Sequence, residues 1–242
     1  MFNPFFEIRN AGIAAHGLDD HDLDRDGFAV RRAVLDQAGI VRFRTEADRV
    51  ASVAGSGCVR RLQNWSSVFT ALELSPELAA LMPDGMRPVR SILFDKTPAE
   101  NWPVGWHQDT TIAVAERLEV PGYCPCSIKD GVVHVQPPAS LLARMITLRV
   151  HLDDTPAENG ALCVVPGSHR HGRLTPADIQ RFREEAEVVW ACAAGDVLGM
   201  RPLILHASSR ALYPARRRVL HFEYAPCDAL DPSLHWAEPE VG

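Results

Sequence analysis

From Val89 onward the chain breaks into short runs rich in Val, Ile, Leu and Phe: VRSILFDK, MITLRVHLD, GALCVVPGS, DVLGMRPLILHASS and RRVLHFEYA. Turn-forming stretches such as TPAENG and PGSHRHG separate them. Many short strands with Gly, Pro, Asn and Asp between them point to a sandwich or barrel. The first third reads differently. DRDGFAVRRAVLDQAGI suggests a strand and then a helix, TEADRVASVAG a helix, and SPELAALMP a short helix opened by Ser75 and closed before Pro83. No repeat or low-complexity linker divides the 242 residues, so one domain, 1–242, is the simpler organisation: a mixed part over about 1–88 and a β core over about 89–225, within which a long segment of little periodicity at about 115–140 reads as a lid insertion.

The charge balance, −6, argues against nucleic acid or an anionic membrane surface as the main partner, since both call for a basic face. No window approaches the apolar length of a membrane span. Six cysteines lack zinc-ribbon spacing, Cys124 and Cys126 read as plain thiols, and MFNPFFEIRNAG lacks a signal-peptide layout. A reduced, cytoplasmic protein that acts on a small molecule is expected, and its oligomeric state is open.

The stretch GWHQDTTIAV, residues 105–114, carries His107 and Asp109 two positions apart. On a strand, i and i+2 share a face, so imidazole and carboxylate point into one space. Ten histidines and seventeen aspartates give about 0.7 such triplets by chance, and a second one, His151-Leu152-Asp153, is present. The triplet needs a third partner. GDVLGMRPLILHASSRALYPARRRVL, residues 195–220, supplies His206 at the end of an apolar run, then a turn and Arg216-Arg217-Arg218. Two histidines and a carboxylate are the ligand set that leaves one side of a non-haem iron open, and an arginine one strand on can grip a carboxylate with paired hydrogen bonds. Period 2 leaves open which face of the arginine strand looks inward, because Leu220, Phe222 and Tyr224 make the face opposite Arg217 the more apolar one.

With WHQD at 106–109, LDDTPAENGALCVVPGSHRHG at 152–172, GDVLGMRPLILHAS at 195–208 and an arginine eleven residues past the last histidine, the sequence resembles the phytanoyl-CoA dioxygenase family over about residues 25–225. The resemblance implies mainly β structure with flanking helices, a double-stranded β-helix or cupin-like jelly roll. It implies His107, Asp109 and His206 as the metal triad, and Fe(2+), 2-oxoglutarate and O2 as cofactor and co-substrates. Arg217 sits at the spacing of the co-substrate arginine, Ser208 resembles a second contact to the same carboxylate, and Lys96 and Gln108 occupy positions near the co-substrate. Asp153 and Asp154 look like turn acceptors, leaving His151 a strand residue. Arg149 departs from the pattern, standing where many relatives place a large aromatic; a contact to co-substrate or to an acidic substrate is one reading, an exposed barrel arginine the other.

Halogenating relatives carry Ala or Gly in place of the triad carboxylate, so Asp109 favours hydroxylation or a related oxidation. Two further classes share the fold: a metal-dependent isomerase or lyase without 2-oxoglutarate, and a catalytically silent binding protein. His169 and His171 read as turn or surface residues, His221 and His235 as histidines without partners at metal spacing, Arg216 and Arg218 as solvated charges, and Trp102 and Trp106 as core or pocket wall. Val132, Val133, Val135 and Pro137-Pro138 in the 115–140 segment suggest a partly apolar substrate.

Overall fold

The computed structural model describes residues 20–185 and 187–237; MFNPFFEIRNAG, on which the signal-peptide expectation rests, lies outside them. Helix α1 (Asp20–Arg25) leads into strand β1 (Phe28–Arg31), followed by helix α2 (Gln37–Ala54). The two helices expected across this region are one. Asp36 caps α2 by accepting from the Gly39 N–H at 2.7 Å, and Gly55 ends it at φ 63°, a left-handed conformation that costs glycine little. No proline interrupts the turns between, and Ile40, Phe43, Ala47 and Val50 form one buried stripe at helical spacing. Strand β2 (Cys58–Arg60), helix α3 (Ser67–Glu73) and helix α4 (Pro76–Ala79) follow. Ser75 caps α4 as its position suggested, accepting from the Leu78 N–H at 3.3 Å with proline at the first helical position.

The β region holds strands β3 (Met86–Lys96), β4 (Val104–His107), β5 (Ile112–Val114), β6 (Cys126–Lys129) and β7 (Val132–Val135). After helix α5 (Ala139–Arg144) come β8 (Ile146–His151) and β9 (Leu162–Val165), then helix α6 (Pro176–Glu185), and finally β10 (Val188–Trp190), β11 (Val197–Met200), β12 (Leu205–Ser208) and β13 (Arg217–Pro226). A six-stranded sheet runs β1-β11-β8-β13-β3-β2, a four-stranded sheet β10-β9-β12-β4, and a three-stranded sheet β5-β7-β6. All the pairings are antiparallel. The chain is thus mainly β with helices against it. No helix among the described residues is long and apolar enough to cross a membrane.

Both faces of the six-stranded sheet are covered, which is why alternation alone leaves the facing of β13 open. Leu220 and Phe222, with Leu93, Leu148 and Val150 beside them, pack on the buried stripe of α2 and on Phe69 and Leu72 of α3. The opposite face presents Arg217, Val219, His221 and Glu223, with Lys96, Phe94, Ile92 and Arg90 opposite on β3 and His151, Arg149 and Thr147 on β8. The four-stranded sheet lies over that second face. Phe28, Leu198 and Met200 from one sheet meet Leu162 and Val164 from the other in a shared cluster.

The segment 115–140 is more regular than its composition suggested. Residues 126–135 form a hairpin turned at Asp130-Gly131, where φ is 50° and 76°. Two successive left-handed residues make the tight turn that Asp-Gly favours between strands. The hairpin extends β5, and Val135 packs with Ile112, Val114, Leu141, Leu142 and Trp236.

Candidate metal and anion site

His107 and His206 are cross-strand partners on β4 and β12. Their rings lie 4.2 Å apart between centroids, tilted at 51°. Strand β4 ends at His107, so Asp109 belongs to the following loop rather than the strand, held there by its N–H donating to the Pro202 carbonyl at 2.9 Å. Its carboxylate stands 3.7 Å from His107 Nε2 and 3.8 Å from His206 Nε2. One ligand atom from each of the three residues fits within 4.8 Å of the others.

Both imidazoles are oriented by their own strands. His107 Nδ1 lies 2.8 Å from the Gly105 carbonyl and His206 Nδ1 2.9 Å from that of Ile204. A carbonyl only accepts, so each Nδ1 carries the hydrogen and each Nε2 offers a lone pair toward Asp109, the tautomer a metal requires. Burial, with only partial compensation from Asp109, pushes His206 down to about 4, so its ring is neutral near pH 7. Burial raises the Asp109 carboxyl, but the charge of His206, protonated in the acid range where the carboxyl titrates, outweighs it together with His221 and Arg90 and holds the group below its usual range. Side-chain exposure rises from 5% at His206 through 20% at Asp109 to 38% at His107, so the triad opens on the β4 side.

Beyond the triad, the inward face of the large sheet carries cations. Lys96 and Arg217 are cross-strand partners. Arg217 donates to Ser208 Oγ at 3.2 Å and to the carbonyls of Asn159 and Gly160, while Lys96 donates to the Trp102 carbonyl at 2.6 Å and reaches Ser208 Oγ at 3.5 Å. Gly160 is needed here. At φ 67°, a Cβ would stand 2.6 Å from the Ser209 carbonyl oxygen and 3.3 Å from Arg217 Nη1. Arg149 bonds His221 Nδ1 at 3.0 Å. Burial, and then the charges of Arg217 and Arg149, push Lys96 down to about 7; burial, and then the charge of Arg149, push Arg217 down to about 10.

These three cations have no carboxylate partner among the described residues, whereas their neighbours do. Arg90 pairs with Glu223, Arg216 with Asp95 and Asp48, and Arg218 with Asp153 and Asp48. Arg216 and Arg218 are therefore not the solvated charges expected. Both turn to the helix side, where Asp48 of α2 waits, and Arg218 is 8% exposed. A buried cation left without a counter-charge costs several kcal/mol, and a dianion is what this face can accept.

Gln108 is used otherwise than its position suggested. Its amide donates to the carbonyls of Gly172 and Leu203 at 2.9 and 2.6 Å and accepts from the Leu174 N–H at 2.8 Å, tying three loop segments behind the triad. Asp153 accepts from the Arg218 N–H and guanidinium, and Asp154 from the Ala194 N–H. His151 is buried against Thr155 Oγ1 at 3.1 Å, apart from the triad. His169 bonds the Asp24 carbonyl at 3.2 Å and His171 stacks near Phe182. Trp106 packs against Val165, Phe182 and Leu205, and the Trp102 ring lies 5.1 Å from the Lys96 ammonium.

His221 is the residue sequence reasoning missed. It joins Asp109 and Glu223 in a second group within 4.8 Å. An arginine N–H donates to its Nδ1, so the ring hydrogen sits on Nε2 and is given to Glu223 Oε1 at 3.0 Å. With both nitrogens engaged, it braces Arg149 rather than offering a lone pair. Its only sequence signal is the i, i+2 spacing to Glu223. The six cysteines are unpaired, and neither candidate metal group among the described residues contains one.

Two histidines and a carboxylate open on one side, set beside a cationic pocket, have the donor set to hold a divalent metal and the charge to receive an acidic co-ligand. Residues 23–219 match the phytanoyl-CoA dioxygenase family, and the chain belongs to it. No curated protein is similar enough to count as a match. Among solved structures, the chain is similar to AviO1 from Streptomyces viridochromogenes, 24% identical over 87% of this chain and 95% of that one, with a TM-score of 0.64. HygX from Streptomyces hygroscopicus, with nickel and 2-oxoglutarate bound, is 20% identical over 88% of each chain at 0.64. The non-heme alpha ketoglutarate dependent carbocyclase SnoK from nogalamycin biosynthesis is 19% identical over 86% of this chain and 83% of that one at 0.66. At these identities the likeness is one of fold.

Proposed function

We propose that this protein is an iron(II)- and 2-oxoglutarate-dependent dioxygenase, a single domain built on a double-stranded β-helix, that hydroxylates or otherwise oxidises a partly apolar small molecule. The observation that carries this reading is the set of three inward cations without counter-charges, Lys96, Arg149 and Arg217, beside a triad whose lone pairs converge. Family membership supports it, as do the neighbours HygX, with nickel and 2-oxoglutarate, and SnoK, described as alpha ketoglutarate dependent. An isomerase or lyase using the triad alone would leave the cations without a purpose.

His107 Nε2, His206 Nε2 and an Asp109 oxygen would hold the iron; the neutral His206 ring and the ionised Asp109 carboxylate need release no proton on binding. With O2, iron and 2-oxoglutarate supply the oxidising chemistry, and the co-substrate leaves as succinate and CO2. The protein's own part is positioning. Arg217 and Ser208, with Lys96 beside them, would take the far carboxylate, and the Gly160 and Asn159 carbonyls fix the guanidinium plane. Gln108 keeps the loop that bears Asp109 against residues 172–174 and 203. The half-exposed His107 edge is where substrate would enter. Asp109 occupies the place a halide would need, which favours hydroxylation over halogenation; the carbocyclase neighbour marks other oxidations as within reach of the fold.

Loading the protein with Fe(II) without air, adding 2-oxoglutarate and admitting air should release succinate above the level of His107→Ala. Equal, background succinate from both proteins would discard the oxygenase reading. A metabolite panel scored for faster succinate release would then name the substrate.

A further inference from the structure

Arg149 stands apart from the other two cations. Lys96 and Arg217 share one rung of the sheet and one hydroxyl, Ser208, whereas Arg149 pairs with His221, four residues along β13 from Arg217 and on the opposite neighbouring strand. At about 3.3 Å per residue that is roughly 13 Å of backbone. Its charge reaches Asp109, His206 and His151 as well as Arg217 and Lys96. The guanidinium is bonded to His221, whose ring nitrogen lies within 4.8 Å of an Asp109 oxygen.

Its surroundings hold it without neutralising it. One N–H is spent on His221 Nδ1, and that ring passes its own hydrogen to Glu223, whose charge already answers Arg90. The guanidinium carbon stands 5.7 Å from the centre of the Phe94 ring, which supports the plane from one side. Arg149 Nε is buried and meets no acceptor. A desolvated, oriented fork with unused donors is shaped for a planar anion.

We infer that Arg149 is a second carboxylate anchor within the site, separate from the Lys96–Arg217 pair. Resting on the oxygenase reading, the inference leaves two sources for that carboxylate: the 2-oxo-acid head of the co-substrate, or an acid group on the molecule being oxidised. If the second holds, the enzyme's substrates are carboxylic acids. Arg149 is then a specificity determinant.

The test titrates Fe(II)-loaded protein without air, following the visible absorbance of the iron chelate, with 2-oxoglutarate and with 2-oxopentanoate, which lacks the far carboxylate. Wild type, Arg149→Gln, Arg149→Lys and Arg217→Gln are compared, each checked by thermal melting. If Arg149 holds the oxo-acid head, Arg149→Gln weakens both ligands alike by about tenfold or more, Arg149→Lys recovers part of the loss, and Arg217→Gln weakens 2-oxoglutarate alone. If it holds a substrate acid, both affinities stay within about threefold. In a panel of carboxylic acids and their methyl esters, some acids then speed succinate release by wild type and not by Arg149→Gln, while their esters speed neither. Unchanged affinities with unchanged acid stimulation would overturn the inference; Arg149→Lys decides if the glutamine variant does not fold. Should wild type form no chelate at all, the oxygenase reading fails first. Calorimetry of the metal-free protein with 2-oxoglutarate then decides separately: uptake weakened in Arg149→Gln keeps the anchor, and no uptake or equal uptake removes it.

Discussion

Lys96 and Arg217 face each other across β3 and β13, both reach the hydroxyl of Ser208, and neither meets a carboxylate among the described residues. Burial pushes both toward their neutral forms, and the charge of Arg149 adds to the cost at each, joined at Lys96 by that of Arg217. A site that keeps such a pair gains most when a dianion arrives. Arg217→Ala should therefore raise the 2-oxoglutarate requirement at least about thirty-fold, since losing a bidentate ion pair in a desolvated pocket costs on the order of 2–5 kcal/mol. Anaerobic titration of the iron chelate measures it. An affinity within threefold of wild type would remove Arg217 from the co-substrate site.

The flanking arginines should fail differently. Arg218 is buried against Asp153 with a second ion pair to Asp48, so Arg218→Ala leaves Asp153 to Arg44 and Asp48 to Arg216 and should cost about 1.5–3 kcal/mol of stability. Arg216 is the bidentate partner of Asp95, whose side chain is 4% exposed, so Arg216→Ala leaves that buried carboxylate without its cation and should cost about 3–5 kcal/mol. Urea denaturation separates the two, and co-substrate affinity of the folded variants should stay within about threefold of wild type. A large loss of 2-oxoglutarate affinity in Arg218→Ala with normal stability would reverse the assignment of the two faces of β13.

Co-substrate binding should depend on pH through Lys96. Burial and the charges of Arg217 and Arg149 put it near 7 in the free protein, and a bound carboxylate favours the ammonium form. Below about pH 7 the amine is already charged and affinity is flat. Above it, binding must draw a proton from solvent, so affinity falls by up to about tenfold per pH unit. For stability of the free protein the sign is opposite: the folded value lies below the unfolded one of 10.5, so Lys96 costs most below pH 7 and the cost fades as pH rises toward 10.5. Lys96→Met should flatten the binding profile; an unchanged slope would point to another titrating group.

Asn101 closes the same end of the site. Its carboxamide donates to the Ala211 carbonyl at 3.0 Å and accepts from the Ala211 N–H at 2.9 Å, joining the loop after Lys96 to the loop between Ser208 and Arg217. At about 1 kcal/mol per hydrogen bond, Asn101→Ala should raise KM for 2-oxoglutarate several-fold up to about thirty-fold while kcat changes little. Steady-state kinetics with succinate as the readout distinguishes this from a general loss of folding, which would lower kcat alone by reducing active protein.

The triad makes the simplest prediction. Asp109→Ala should lose iron and succinate formation together, with melting temperature changed by only a few degrees, because Asp109 contributes ligation rather than core packing. Zinc or copper should inhibit by occupying the same ligands. Metal content equal to wild type together with full activity in Asp109→Ala would remove it from the site.

Some of this is written in the local sequence. Short apolar runs with turn residues between them announced antiparallel sheets, Ser75 announced a helix start, and the spacing of His107 and Asp109 put two ligand groups in one space although the strand stops before the second. The Asp130-Gly131 turn was legible too, but the low periodicity around it hid the hairpin. The merging of two expected helices into α2 follows from the absence of a breaker between them, a weak negative signal.

Other features depend on contacts far apart in the chain. His206 meets His107 across 99 residues of sequence because β12 pairs with β4, a register no local pattern encodes. Strand parity grouped Arg217 with His221 but left its facing open, since helices cover one side of β13 and the second sheet covers the other. Above all, which cations are answered and which are left waiting was decided only in three dimensions. Arg218 finds Asp153 and Asp48, Arg90 finds Glu223, and Lys96, Arg149 and Arg217 find no carboxylate among the described residues. Ion pairing acts over a few ångströms of space and is blind to sequence distance, so residue types and spacings supplied the candidate ligands, and folding alone sorted the paired charges from those left without a carboxylate among the described residues.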